Sequence, residues 1–465
     1  MAKDDTTLFV FSNAGSYRLQ RYIIEKAVQE NRRVALLYTG GRDAFFSSVR
    51  LDAARLNIQA LALDDEVELF AAPIAWWPAT KTLTWRAMVC ALAALFSLRA
   101  KAFRQAWARR LTATLQLMRR LEVRIVVCSE DGLSGDLAVI AAARNINALV
   151  VDVPYGNGTV HELEADLGRK YDLGQLITVS GWRRFFLTLI APQWIKRGLY
   201  DGAIMYPLSM LVAIESLGIT LSDAWIIHGG MSNVLCVENE IGLRQYKREG
   251  IGAAKLKLTG SPYCDMLVEA LRGNAEAAAA LRKPRRIEEG RLRILVSWPP
   301  SYHDTYPGKN QFETYEKMTA AIFTFLKKMP DIYLTVSLHP ACGEDIKTIF
   351  QRLEVDITEA DLFTLIPCHD LFITYFSSTI RWALAAGKVV LNYDAYNLKL
   401  PTFNLAPGFF SAETFEQFCN ELSRLAGSQN VCERAMSRQI EVADDWGVLD
   451  GHAIDRIFCT IDTIK

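Results

Sequence analysis

Short apolar runs that alternate with helix-like segments recur along almost the whole chain, and this alternation constrains the fold more than any other feature. In the first half, strand-like runs occupy residues 7–11, 33–38, 58–63, 123–128, 148–153, 225–227 and 255–258. Unbroken apolar runs of this length, separated by helical patterns, are typical of strands buried on both faces of a parallel sheet. The sequence therefore predicts an α/β protein with doubly wound sheets.

A second series of the same kind follows a tract rich in Gly, Ala, Arg, Pro and Glu. Its strand-like runs occupy residues 292–297, 332–338, 362–366, 371–375 and 389–393, with a helical pattern over 312–328. Since 465 residues exceed what one hydrophobic core serves, two domains are expected. We predict a Rossmann-like domain over residues 1–271, a linker over 272–290 and a second Rossmann-like domain over 291–465. Two such domains would face each other across a cleft.

Composition narrows the functional class. The 52 basic and 52 acidic residues give no net charge, so a nucleic-acid partner is not indicated. Nine scattered cysteines without a C-x-x-C pair favour a reducing cytoplasm over a disulfide framework. The polar N-terminus has no signal-peptide pattern, and we expect a cytoplasmic protein. No H-E-x-x-H, D-x-D or Cys/His cluster occurs, so we expect neither a bound metal nor a cofactor.

Candidate phosphate-binding residues follow the predicted strands of the second half: Trp298, His339, Pro340, Ser377, Ser378 and Thr379. A strand that stops at small hydroxyl residues and turns into a helix presents backbone N–H groups to an anion. His339 ends another strand and would be held at the sheet edge. The alternatives are that Ser377 and Ser378 cap the helix, and that Trp298 packs in the core.

In the first half, the residues Glu130 and Asp131 follow the strand over 123–128. A partly desolvated carboxylate there would have a raised pKa suited to a catalytic base, although Asp131 could equally cap the next helix. Other residues that follow strands of this half are predicted to line the cleft: Ser12, Asn13, Gly15, Tyr155, His161, His228, Gly229 and Gly230. Gly229 and Gly230 allow close backbone approach to a ligand, or form a plain tight turn.

A basic and aromatic tract interrupts the alternation of strands and helices. Between Glu68 and Glu122 there is no acidic residue, and the tract contains nine Lys or Arg together with Trp76, Trp77, Trp85 and Trp107. We predict a helical insertion over about residues 71–121. Basic helices rich in Trp and Phe are typical of segments that lie on an anionic membrane surface. An internal helical hairpin and a basic cradle for an acidic partner remain alternatives.

Several motifs resemble those of a known class of enzyme. The segments 257–265 and 368–390 resemble segments of glycosyltransferases and nucleotide-sugar epimerases of the GT-B fold. Three shorter motifs occur in the order found in bacterial sialyltransferases and Kdo-type transferases of that fold: Glu130-Asp131-Gly132, His339-Pro340 and Ser377-Ser378. One departure is that Arg381-Trp382 lies where many nucleotide-sugar enzymes place a ribose-binding Glu.

The resemblance implies a metal-independent glycosyltransferase that uses a nucleotide sugar, in particular a CMP-linked acidic sugar. An acidic residue of the first motif would deprotonate the acceptor hydroxyl, and His339 with the serines would hold the CMP phosphate. The acceptor would be a surface glycan, glycolipid or glycoprotein, reached from the inner face of a membrane. The resemblance implies that the cleft residues of the first half, from Ser12 to Gly230, lie on the acceptor side. Alternatives are a nucleotide-sugar epimerase or hydrolase, a polyol-phosphate transferase, and a non-catalytic scaffold in a polysaccharide assembly complex.

Overall fold

The chain forms two compact units, each with its own parallel sheet. The computed structural model describes residues 5–464 apart from 42, 70–83, 134, 157, 284–290, 376 and 428. Unit 1 comprises Met1–Val237, Leu243–Thr259 and Ile454–Lys465, and unit 2 comprises Glu238–Gly242 and Gly260–Ala453. Each unit is a Rossmann-like α/β domain, as the sequence predicted.

The strands of unit 1 are β1 (Thr6–Phe11), β2 (Val34–Tyr38), β3 (Gln59–Ala62), β4 (Val123–Cys128), β5 (Leu149–Asp152), β6 (Val234–Val237) and β7 (Leu256–Leu258). The helices up to β5 are α1 (Ala14–Gln29), α2 (Ala44–Arg55), α3 (Leu63–Leu69), α4 (Trp85–Leu95), α5 (Leu98–Arg120) and α6 (Leu137–Asn145). They are followed by α7 (Val160–Asp172), α8 (Gly181–Ile190), α9 (Leu208–Ser216) and α10 (Glu240–Arg248).

All seven strands of unit 1 are parallel, in the order β3-β2-β1-β4-β5-β6-β7. The central strands are apolar on both faces because helices cover both sides of the sheet: β1 is buried along its whole length. The strand order reverses between β1 and β4. In doubly wound sheets, ligands bind at the carboxyl ends of the strands at such a reversal.

Unit 2 repeats this plan with six strands: β8 (Leu292–Trp298), β9 (Ile332–Leu338), β10 (Ile357–Thr358), β11 (Leu371–Thr374), β12 (Val389–Tyr393) and β13 (Phe409–Ala412). Its helices are α11 (Pro262–Arg272), α12 (Ala275–Ala280), α13 (Tyr315–Lys328), α14 (Glu344–Arg352), α15 (Leu362–Leu365), α16 (Ile380–Ala385), α17 (Phe415–Gly427), α18 (Gln429–Glu441) and α19 (Ala443–Trp446). The last helix of the chain, α20 (Ala453–Ile464), belongs almost entirely to unit 1.

The parallel strands of unit 2 follow the order β10-β9-β8-β11-β12-β13, so its order reverses between β8 and β11. Two predicted strands are wrong. Residues 225–227 form a turn, and residues 362–366 form α15 and the start of a 3₁₀ turn. The side chains of both runs are partly or fully buried, which accounts for their apolar character. Buried turns and helices are also apolar, so an apolar run alone does not specify an extended backbone.

The observed units differ from the predicted domains at three places. Residues 238–242 and 260–271 belong to unit 2, whereas residues 454–465 return to unit 1. The predicted linker over 272–290 lies within unit 2, apart from residues 284–290, which are outside the described part. Its residue Arg282 explains why: the guanidinium donates to the carbonyl oxygen of Ala385 at 2.9 Å and to that of Gly447 at 2.6 Å.

The basic tract contains two helices, α4 and α5, and its residues 70–83, with Trp76 and Trp77, are outside the described part. Helix α5 is an internal element. Its apolar residues join the core of unit 1, and several of its arginines have partners inside the unit. Arg104 donates to Ser216 at 3.1 Å, and Arg120 pairs with Glu66 at 2.9 Å. For α5, the internal packing alternative is therefore the observed one.

Candidate functional site

The reversal point of unit 1 contains a depression at the carboxyl ends of β1 and β4. Its lining includes residues from four segments: Phe11, Ser12, Asn13, Ser16, Thr39, Ser129, Glu130, Asp136 and Tyr155. The predicted catalytic residue Glu130 thus meets three of the predicted cleft residues at one place: Ser12, Asn13 and Tyr155. This is where doubly wound sheets bind ligands.

The loop after β1 owes its shape to Asn13 and Gly15. The Asn13 side chain caps α1 by accepting a hydrogen bond from the Ser16 N–H at 3.0 Å. Gly15 leaves room for the Tyr155 ring, since a Cβ at position 15 would lie 2.9 Å from the ring edge. Burial, together with the nearby charge of Glu130, raises the pKa of the Tyr155 hydroxyl, so this group stays protonated as a hydrogen-bond donor.

Glu130 and Asp131 occupy different environments although they are neighbours in the chain. Glu130 is partly exposed and lines the depression. Asp131 is fully buried, 2.5 Å from the Lys255 ammonium, and its carboxylate accepts hydrogen bonds from the backbone N–H groups of Gly230 and Ser232. The two carboxylates are therefore suited to different tasks.

The expectation of a raised pKa is wrong for Asp131. Burial alone would raise the pKa of this carboxyl, but the charge of Lys255 and the hydrogen bonds from Lys255 and Ser232 lower it below the ordinary value. An ionised carboxylate that is fully paired is a weak proton acceptor. Asp131 is therefore a structural anion that fastens the segment around Gly230 and Ser232 to the end of β4.

His228 lies in the turn-rich segment before β6 and is buried beside Asp152, the last residue of β5. Its Nδ1 is 2.7 Å from an Asp152 carboxylate oxygen. Burial alone would lower the pKa of His228, but the Asp152 carboxylate raises it above its ordinary value. Burial raises the pKa of Asp152 itself, although His228 opposes the shift. His228 and Asp152 are thus two buried groups, each of which changes the pKa of the other.

Glycines let these segments approach each other closely. A Cβ at Gly230 would lie 1.6 Å from the carbonyl oxygen of Asp131, and one at Gly132 would lie 2.2 Å from that of Ile227. A Cβ at Gly158 would lie 2.4 Å from His228 Nε2. Gly230 therefore lets its own backbone pack against the backbone of Asp131, and the close approach it permits is to another part of the protein. Gly229 is similarly enclosed, with a Cβ position 2.8 Å from the Ile226 side chain.

Among the described residues, Asp131, Asp152 and His228 are the group whose oxygen and nitrogen atoms lie close enough together, within 4.8 Å, to hold a metal ion. Carboxylate and imidazole ligands would suit a divalent cation. However, the Lys255 ammonium lies against Asp131 and also donates to the His228 carbonyl oxygen at 2.8 Å. Lys255 therefore already supplies the positive charge that this cluster requires.

The carboxyl edge of the second sheet contains the other predicted residues. Since β8 lies between β9 and β11, His339 and the Ser377–Thr379 turn follow strands on either side of β8. The Ser377 and Thr379 hydroxyls are 2.7 Å apart, and helix α16 begins at Ile380. The exposed His339 accepts a hydrogen bond from the Ala341 N–H at its Nδ1, 3.1 Å away. In the neutral ring, Nε2 is then the atom that carries the proton.

Trp298 requires a correction. Its ring is fully buried in the core of unit 2, and its Nε1–H donates to the Thr319 hydroxyl at 3.2 Å. Edge-to-face contacts with Phe323 and Tyr375 surround it. The observed role is packing, because no face of this indole is available to stack on a base. Pro340 is exposed beside His339.

Arg381, at the position where a ribose-binding Glu was expected, is buried and forms an ion pair with Glu238. Both residues belong to unit 2. Burial raises the pKa of Glu238, while Arg381 opposes this shift. A carboxylate thus lies next to α16 after all, but it comes from a segment 143 residues away in sequence.

The sequence analysis did not identify Lys255 and Asp152 as partners of site residues, and it did not predict the ion pair between Glu238 and Arg381. Asp152 had a detectable signal, because an acidic residue ends a strand of unbroken aliphatic residues. Lys255 had none, since its partner Asp131 is 124 residues away. The predicted residue His161 lies in the first turn of α7 and, as far as the described residues show, does not line the depression.

Comparison with solved structures identifies the fold. The S. aureus MnaA protein, solved with UDP, superposes with a TM-score of 0.54 at 12% identity, covering 99% of this chain and 96% of that one. The UDP-GlcNAc 2-epimerase from Neisseria meningitidis bound to UDP-GlcNAc gives 0.52 at 12%, covering 98% and 100%. Another UDP-N-acetylglucosamine 2-epimerase gives 0.50 at 13%, covering 99% and 96%. The chain therefore has the GT-B fold. No protein-family profile and no curated protein sequence matches it.

Proposed function

We propose that this chain is a glycosyltransferase that moves a sugar from a nucleotide-activated donor to a hydroxyl group of a glycan, glycolipid or glycoprotein. The observation that carries the proposal is Glu130, a partly exposed carboxylate in a depression at the reversal point of the first sheet. The GT-B fold supports it, because two proteins with this fold were solved with UDP or UDP-GlcNAc. A CMP-linked acidic sugar is one donor of this class.

Glu130 is the proposed catalytic base. Its carboxylate takes the proton of the acceptor hydroxyl as the acceptor oxygen forms a bond to the anomeric carbon. The bond between that carbon and the donor phosphate breaks, and the phosphate leaves with the electron pair. Ser12, Asn13 and Tyr155, which surround Glu130, would hydrogen-bond to the acceptor.

The proposed donor-phosphate residues belong to unit 2. His339 Nε2–H and the hydroxyls of Ser377, Ser378 and Thr379 would donate hydrogen bonds to the leaving phosphate, which gains negative charge during transfer. Pro340 would restrain the backbone beside His339. On the acceptor side, His228 and Asp152 are proposed to position the segment next to Glu130 through their buried hydrogen bond. The charge of Glu130 also raises the pKa of His228, so the two groups interact electrostatically. No metal takes part in this scheme.

The test compares two adjacent isosteric variants, Glu130→Gln and Asp131→Asn. Glu130→Gln should lower turnover about 100-fold or more, the typical contribution of a general base, while nucleotide affinity and thermal stability stay unchanged. Turnover is measured with a panel of CMP-, UDP- and GDP-sugars and mixed glycan acceptors, and affinity by calorimetry with the free nucleotides.

Asp131→Asn is the matched control, because it removes a carboxylate one residue away. It should reduce thermal stability, and any loss of turnover should follow the loss of folded protein. Full activity of Glu130→Gln would refute the role of Glu130. Failure of every nucleotide to bind would refute the proposed function as a whole.

A nucleotide-sugar epimerase is the second candidate, because two of the three solved structures compared above are UDP-GlcNAc 2-epimerases. The two functions differ in their need for an acceptor. Incubation with UDP-GlcNAc alone, followed by NMR of the sugar, should give no epimer if the chain is a transferase. Epimer formed at a rate of about 1 per second, within the usual range for enzymes, would favour the epimerase instead.

A further inference from the structure

Two neighbouring helices of unit 1, α4 and α8, present large apolar side chains to solvent. On α4 these are Trp85, Met88, Leu92 and Leu95, followed by Phe96 in the turn to α5 and by Leu98, the first residue of α5. On α8 they are Trp182, Phe185 and Leu189. We call these nine side chains the apolar surface. The exposed fraction reaches 91% for Phe96 and 88% for Leu98, so these side chains gain no stability from burial.

Helix α4 is apolar on both sides. Its residues Ala87, Cys90 and Ala94 are buried, and Cys90 and Ala94 contribute to the core of unit 1; α4 also contacts α9. The spacing of Trp85, Met88, Leu92 and Leu95 places them along one stripe, which is exposed. A helix on the surface of a soluble protein normally has a polar outer face. Arg86 is the only charged residue of α4.

Helix α8 repeats this arrangement and contacts α4. Leu187 and Ile190 are buried, while Trp182, Phe185 and Leu189 follow the same three- and four-residue spacing on the exposed side. The two exposed stripes therefore lie on helices that contact each other in the folded unit. A single exposed leucine would need no explanation, but a group of this size indicates an interaction surface.

The charge around the apolar surface indicates what it contacts. Residues 84–121 and 173–200 contain no Asp or Glu. Arg86, Arg99, Arg183 and Arg197 are exposed there. Two of these arginines lie over exposed indole rings: Arg86 is 5.8 Å from the Trp85 ring centre, and Arg183 is 5.7 Å from that of Trp182. Tryptophan and arginine together on an apolar face match a lipid layer with anionic headgroups.

We propose that the apolar surface inserts into the interface of an anionic lipid membrane, with the surrounding arginines bound to lipid phosphates. The 11 residues of α4 are too few to cross a bilayer. No helix in the part of the chain that the structure describes is long and apolar enough to do so. The contact is therefore peripheral, and it does not depend on the proposed transferase activity.

The test measures flotation of the full-length protein with vesicles of phosphatidylcholine alone or mixed with phosphatidylglycerol. We expect binding to the mixed vesicles that weakens at high salt. The double variants Phe96→Ser/Leu98→Ser and Trp182→Ser/Phe185→Ser should each reduce partitioning about tenfold or more, since each removes two inserted side chains. Arg183→Gln should weaken binding about fivefold, the effect of one basic residue near an anionic surface.

Leu51→Ser and Leu405→Ser are matched controls, because these leucines are also exposed but lie on α2 and in unit 2. They should leave partitioning unchanged, and all variants should keep the thermal stability of the parent. Absence of vesicle binding by the parent protein would refute the proposal. If light scattering instead shows a dimer that the double variants dissociate, with no flotation, the apolar surface is a protein interface and the lipid proposal is wrong.

Discussion

At the scale of single residues, the contrast between Glu130 and Asp131 determines the proposed mechanism. The pair could be located from its sequence, because it directly follows an apolar strand. Their division of roles could not, because it depends on Lys255 and Ser232, which lie more than 100 residues further along the chain. A sequence specifies which carboxylates are near a sheet edge, but folding decides which of them remains open to a substrate.

Asp131 should make the stability of the protein depend on pH in the acid range. Asp131→Asn leaves the Lys255 ammonium without its carboxylate, and loss of one partner of a buried ion pair costs about 3–5 kcal/mol. Because the folded pKa of Asp131 lies below the ordinary value of 3.8, its stabilisation is complete at neutral pH and is lost as the pH falls below that value.

Thermal melting of both proteins from pH 7 to pH 3 measures this effect. The difference in Tm between parent and Asp131→Asn should be constant near neutral pH and should shrink at the acid end. A difference that grows on acidification would show that Asp131 is not held ionised by Lys255.

At the scale of elements, most apolar runs were predicted correctly as strands, and run length did not separate right from wrong: the five-residue run 362–366 forms α15 and the start of a 3₁₀ turn. The strands Ile332–Leu338 and Val389–Tyr393 have the bounds expected from sequence. The three-residue run 225–227 was assigned to a strand, and the true strand β6, Val234–Val237, was missed. Both segments are apolar and short, and only pairing with β5 and β7 makes the second one extended. Strand pairing is a tertiary property that local composition does not encode.

The carboxyl edge of the second sheet leads to a prediction about His339. If its Nε2–H binds the donor phosphate, His339→Ala should weaken nucleotide binding by about 1–3 kcal/mol, the range for a charge-assisted hydrogen bond. Stability should hardly change, because the side chain is exposed. Calorimetry with the nucleotide that binds the parent protein measures the effect, and His452→Ala, another exposed histidine, serves as control. Equal affinities for parent and His339→Ala would remove His339 from the phosphate site.

At the scale of the whole molecule, the chain passes repeatedly from one unit to the other. It leaves unit 1 after Val237 and again after Thr259, and it returns at Leu243 and at Ile454. The sequence indicated two halves of comparable size but not these crossings, because α20 has the same amphipathic pattern that a helix of unit 2 would have. Only the contacts of α20 assign it to unit 1.

Removal of residues 454–465 should selectively weaken unit 1. Ile457, Phe458 and Ile461 are buried, and Arg32 both pairs with Asp462 at 3.0 Å and lies 4.3 Å from the Phe458 ring centre. Loss of three buried apolar side chains corresponds to about 5 kcal/mol or more. Hydrogen exchange should show faster exchange in β1 and β4 and unchanged exchange in β8 and β11.

Thr463→Ala, on the exposed side of the same helix, is the control and should have no such effect. If the truncated protein lost protection equally in both sheets, the two units would not be separate folding units.

The position of α20 also has a consequence for synthesis of the protein. The ribosome makes nearly all of unit 1 first, then the whole of Gly260–Ala453, and only then the helix that completes unit 1. At ordinary translation rates of about 5–20 residues per second, unit 1 waits roughly 10–40 seconds for its last helix. During that time the surface that receives Ile457, Phe458 and Ile461 stays open to water. The nascent chain is thus exposed to aggregation or chaperone binding until α20, Ala453–Ile464, emerges.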